Sequence, residues 1–77
     1  MMNLIEAWGN YYFVVDGDGV DDDRYFKITR ILGNTHVVYE NVEDDINVRV
    51  FSGSLEECIE YLDTLGAVNY DPLAKWR

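Results

Sequence analysis

One stretch of this chain carries helix signals from end to end, and it limits what the rest can fold into. Ser54-Leu55-Glu56-Glu57 is a capping box: the Ser54 hydroxyl accepts from the helix start while Glu57 reaches back to the Ser54 amide. Leu55, Cys58, Ile59, Leu62 and Leu65 follow at helical spacing as one apolar stripe. Gly66 stands where a left-handed terminal cap is wanted. A helix with a single apolar stripe must lie on an apolar surface, and the residues before it read as strands that supply one.

Tyr11 to Val15 is aromatic and β-branched and reads as a strand. Upstream, Leu4 to Trp8 either extends that strand or makes a helical turn, with a bend or bulge at Gly9-Asn10. Tyr25 to Leu32 and Thr35 to Val42 flank Gly33-Asn34, a two-residue connection suited to a tight hairpin. With those two residues as the turn, Leu32 faces Thr35, Arg30 faces Val37, Ile28 faces Tyr39, and Lys27 faces Glu40 as an opposite-charge pair. Phe26, Ile28, Leu32, Val37 and Tyr39 then share one face. The other carries Ile31, Val38 and Val42 beside Lys27, Thr29, His36 and Glu40, so either face offers apolar groups to a core. Ile46-Asn47-Val48-Arg49-Val50 alternates cleanly, which predicts Ile46, Val48 and Val50 inward. Asp71-Pro72 fits the cap and first residue of a short final turn, with Trp76 anchoring the tail. The expected fold is α+β: a small antiparallel sheet of three or four strands in a meander, with one C-terminal helix packed across one face. At 77 residues there is room for one core, so 1–77 is read as a single domain.

Fifteen Asp and Glu against six Lys and Arg give a formal net charge of −9. Direct nucleic-acid binding needs cations that displace phosphate counterions, and anionic membranes repel the same surface. Neither is expected as a partner. One cysteine excludes an internal disulfide, and the N-terminus lacks the basic-then-apolar pattern of a signal peptide. The cytoplasm is the expected setting.

Catalytic chemistry finds no foothold. Cys58 falls in the apolar stripe, where burial raises a thiol's pKa and silences it. His36, the only histidine, is expected on the exposed side of the hairpin. Gly17-Asp18-Gly19 is surrounded by aspartates that repel phosphate. The reading is of a non-enzyme without a cofactor.

The carboxylates gather in three places: Asp16, Asp18, Asp21, Asp22 and Asp23; Glu43, Asp44 and Asp45; and Glu56, Glu60 and Asp63 on the outer helix face. Such clusters suit a basic partner, and rows of carboxylates on a compact domain can compete with DNA phosphates for a basic groove. In composition the chain resembles small phage and bacterial inhibitors of nucleic-acid enzymes, being short, acidic and aromatic-rich. That implies a DNA-mimic inhibitor of the anti-defence or nuclease-inhibitor kind, whose partner is a basic, nucleic-acid-binding protein. Tyr11, Tyr12, Tyr25, Tyr61 and Tyr70, where exposed, would serve as anchors within the acidic rim. Two other readings stand beside it. One is a calcium-binding module using the 16–23 loop, although Val20, Asp21 and Lys27 fail the EF-hand template. The other is a small structural or accessory subunit docking through an apolar sheet face, on a partner or as a homodimer.

Overall fold

The computed structural model describes residues 4–17 and 22–74. The described elements run β1 (Glu6–Ala7), β2 (Asn10–Val15), β3 (Arg24–Leu32), β4 (Thr35–Glu43), β5 (Ile46–Gly53), α1 (Leu55–Thr64) and β6 (Val68–Tyr70). They form one antiparallel sheet in the order β1-β2-β3-β4-β5, with β6 on the same edge of β2 as β1. The meander is as expected, but the sheet is larger than three or four strands, and the helix is followed by another strand.

Both additional strands are short and lack a strong pattern of their own. Their place is fixed by Asn69, whose amide substitutes for missing ladder bonds. The Ile5 N–H donates to Asn69 Oδ1 (2.6 Å), and Asn69 Nδ2 donates to the carbonyls of Ile5 (3.3 Å) and Tyr12 (2.9 Å). Residues 4–8 thus resolve into a hairpin arm, with Trp8 and Gly9 turning at φ 52° and 79°. Two successive positive φ values match the right-handed twist of a tight hairpin.

The β3–β4 hairpin departs from the expected register. Leu32 does face Thr35, but Ile31 is an extra, bulged residue, so Arg30 faces His36, Ile28 faces Val38 and Lys27 faces Tyr39. A one-residue slip exchanges faces along β4. It brings Val38 beside Ile28, both wholly buried, while Leu32 stays exposed and Tyr39 turns to the other side. Pairing apolar groups under the helix outweighs the Lys27–Glu40 pair of the simpler register. Glu40 instead takes Arg24 in a two-pronged bridge of 2.9 and 3.0 Å.

Phe13, Phe26, Ile28 and Val38 meet Cys58 and Leu62 of α1 in the core, with Leu55, Ile59 and Leu65 packed at its margin. Phe51 stacks on Tyr61, ring centroids 4.8 Å apart. Both helix ends are closed as expected. Glu57 N–H donates to Ser54 Oγ (3.1 Å) and Ser54 N–H to Glu57 Oε1 (2.9 Å). At the other end Gly66, at φ 76°, donates to the Asp63 carbonyl and Ala67 to that of Leu62, a Schellman cap. Ile46 and Val48 are not inward: they are 48% and 46% exposed, because the ten-residue helix is shorter than the strands and only Val50 and Phe51 of β5 pack on the core.

Candidate functional site: an acidic end and a tyrosine cleft

A meander alternates its connections between the two ends of the sheet. The β2–β3 loop and the β4–β5 turn therefore emerge at the same end, two strand spacings or roughly 10 Å apart. The helix leaves β5 at the opposite end and returns toward Val68, which pairs with Val14. Its C-terminus, where the macrodipole is negative, thus lies at the acidic end as well. The fold gathers Asp16, Asp22, Asp23, Glu43, Asp44, Asp45 and Asp63, all exposed, at one pole. Glu56 and Glu60 are exposed too, but Glu56 lies in the first turn of α1, toward the other end. Asp18 and Asp21 lie outside the described residues, as do Lys75, Trp76 and Arg77 of the expected tail turn. The cap of that turn is present: Leu73 N–H donates to Asp71 Oδ1 (2.9 Å).

Each acidic connection is held by its own short-range bonds. Gly17 N–H donates to Asp23 Oδ1 (2.9 Å), and a Cβ on Gly17 would run into the side chain and carbonyl of Asp22. Asn41 Nδ2 donates to the carbonyls of Glu43 (2.8 Å) and Ile46 (3.3 Å) and so clasps the β4–β5 turn. Asp45 takes the left-handed conformation there (φ 62°), which aspartate tolerates better than most residues. Among the described residues, no three His, Cys, Asp or Glu side chains come together as a metal site. The Arg24–Glu40 bridge is the one ion pair among the described residues. Its guanidinium holds the Glu40 carboxyl below the usual range, chiefly by hydrogen bonding.

The tyrosines divide by face. Tyr11 packs on the core and Tyr61 stacks against Phe51. Tyr12, Tyr25 and Tyr70 lie together on the sheet face away from the helix, joined by Tyr39, which spacing alone did not single out. The row across the sheet reads Tyr70, Tyr12, Lys27, Tyr39, Arg49 in successive cross-strand pairs. Tyr70 meets Tyr12 and Tyr25 edge-on, each at 6.3 Å between centroids, and Trp8 meets Tyr12 edge-on at 5.9 Å. Burial, reinforced by the Tyr25 and Tyr12 hydroxyls, pushes the Tyr70 phenol up. Beside these rings a cleft of about 380 Å³ opens toward Asn41, Asp45 and Asn47 of the acidic end.

His36 is not at the surface. It is 5% exposed, with Nδ1 3.0 Å from the Asn34 carbonyl, because the bulge turns it to the helix side. It pairs with Gly53, whose carbonyl also receives a long contact from the Cys58 thiol (4.0 Å). Sequence spacing gave no hint of that convergence. Burial, with help from the Glu57 charge, pushes the Cys58 thiol up, which favours the unreactive thiol form.

Among the described residues no helix is long and apolar enough to cross a membrane. Compared with protein-family models, curated protein sequences and solved structures, the chain matches none.

Proposed function

We propose that this protein is a non-enzymatic binding protein whose acidic end occludes the basic, nucleic-acid-binding site of a partner, in the manner of a DNA mimic. The observation that carries this reading is the gathering of the β2–β3 loop, the β4–β5 turn and the C-terminal end of α1 at one pole. Two of the acidic stretches lie roughly 10 Å apart, about one Debye length at 0.1 M salt, so their fields add at low ionic strength and are screened as salt rises. A partner with a lysine- and arginine-lined groove meets there a dense set of carboxylates, two of whose supporting connections are already clasped by Asp23 and Asn41. Preorganised charge speeds encounter and loses less on binding than a flexible acidic tail.

The test is capture of partners from a bacterial lysate on immobilised protein, at low and high salt, with duplex DNA as competitor. The expected result is a nucleic-acid-binding protein retained at low salt and displaced by DNA. Reversing charge at Asp21, Asp22 and Asp23, or at Glu43, Asp44 and Asp45, should abolish retention. Retention that ignores salt, DNA and both sets of reversals rejects the proposal.

One observation favours a second reading, an accessory subunit docking through an apolar surface. Ile46 and Val48 are exposed on β5, a strand paired on only one side among the described residues, and the exposed Val42 lies on the neighbouring β4. An edge of that kind can accept a further strand. Light scattering that returned a dimer, lost on Val48→Lys, would support a self-docking version.

A further inference from the structure

The acidic end borders a cleft whose chemistry differs from that of a charged rim. Tyr12, Tyr25 and Tyr70 line it, together with Asp45 of the acidic β4–β5 turn. We propose that this cleft receives an arginine side chain of the basic partner. This deepens the acidic-end reading and rests on it.

The ring geometry is the first reason. Tyr70 meets Tyr12 and Tyr25 at 66° interplanar angles, so no pair stacks face to face and consumes both π surfaces. Tyr25 is 43% exposed and presents its ring to an incoming group. A cation is drawn to such faces, and the guanidinium is the best match: planar, weakly hydrated, and able to stack while its edge bonds a carboxylate. The volume of about 380 Å³ is ample for one arginine side chain.

Charge is the second reason. Asp45 lines the cleft, and Glu43 and Asp44 adjoin it in the same turn. The opposing charge is Lys27, which also lines the cleft. Its ammonium lies over the Tyr39 ring, 5.9 Å from the centroid, on the side of the row away from Tyr70. Lys27 is the one cation among the residues that line the cleft, so a guest anion would have it and the neutral amides of Asn41 and Asn47, against Asp45 and the field of the acidic end. The two guests therefore predict opposite consequences for loss of Lys27. The Tyr70 phenol, pushed up by burial, stays protonated at neutral pH and does not add a charge of its own.

The experiment titrates the full chain with end-blocked tetra-arginine and tetra-lysine peptides at low salt, followed by amide NMR. Tetra-arginine should bind more tightly than tetra-lysine and shift the amides of Tyr12, Tyr25, Asn47 and Tyr70. Tyr25→Ala should weaken tetra-arginine about fivefold, the scale of a partly exposed cation–π contact. Lys27→Gln should strengthen it about threefold by removing a like charge. Equal binding of both peptides, with shifts confined to the 16–23 and 43–45 connections and no effect of Tyr25→Ala, overturns the cleft while leaving the acidic end intact. Weaker binding by Lys27→Gln overturns it in favour of an anionic guest. No binding of either peptide removes the cleft and the acidic-end reading together.

Discussion

The two faces of this sheet are built from similar residues to opposite ends. The helix face brings Phe13, Phe26, Ile28 and Val38 against Cys58 and Leu62 and leaves them dry. The other face also carries aromatics, yet α1 does not cover it, and its rings meet edge-on around a cleft with Lys27 among them. Val37 on that side is nonetheless buried, so the open face contributes to packing at one place while staying accessible at another. A ring on the helix face is part of what folds the chain. A ring on the open face is placed by a fold that would exist without it. Burial therefore separates residues whose loss unfolds the protein from residues whose loss leaves it folded and changes what it can bind.

The largest effect should come from Leu62→Ala, which opens a cavity in a wholly buried site and should cost about 2–5 kcal/mol. For a domain this small that is a large part of its stability. Tyr25→Ala on the open face should cost about 1 kcal/mol or less, since its ring gives up edge contacts and partial burial. Urea denaturation of both variants measures the contrast, and equal losses would break the distinction between the faces. Gly66→Ala should cost about 1 kcal/mol, because the Schellman cap holds φ at 76° and any Cβ is strained there, although nothing crowds it. The smallest effect belongs to Arg24–Glu40. The Glu40 carboxyl is depressed in the folded state, so its stabilisation is present above the ordinary glutamate value near about 4.3 and is lost as pH falls through the lower folded value. Arg24→Gln should thus lower the urea midpoint slightly at neutral pH, with a gap that closes on acidification. The bridge is half-exposed on the arginine side, so solvent screening keeps the gap small.

Similar contrasts mark what was legible in the sequence. The helix was readable in full, from Ser54 to Gly66, because its capping box, stripe and terminal glycine all act within a few residues of one another. The Gly33-Asn34 turn was equally plain, and Gly33 does take a positive φ of 58°. The register beyond it was not. Whether Ile31 bulges depends on whether Val37 or Val38 fits beneath the helix, and that is a question about side chains distant in sequence. His36 went to the interior for the same reason.

The acidic clusters were visible as runs of carboxylates, whereas their meeting at one end follows from strand order. Local signals left residues 4–8 open between strand and helical turn and marked nothing at β6, and the pairing of both is completed by one amide, that of Asn69. The tyrosine cleft was the least legible of all, since residues 12, 25 and 70 are joined only when three strands lie side by side. What the sequence determined by itself was every element whose signals are short-range: the helix with its caps, the hairpin turn, the charge and where it clusters. Tertiary structure decided register, the burial of His36, the gathering of the charge and the cleft, because each depends on which face of a strand a distant partner covers.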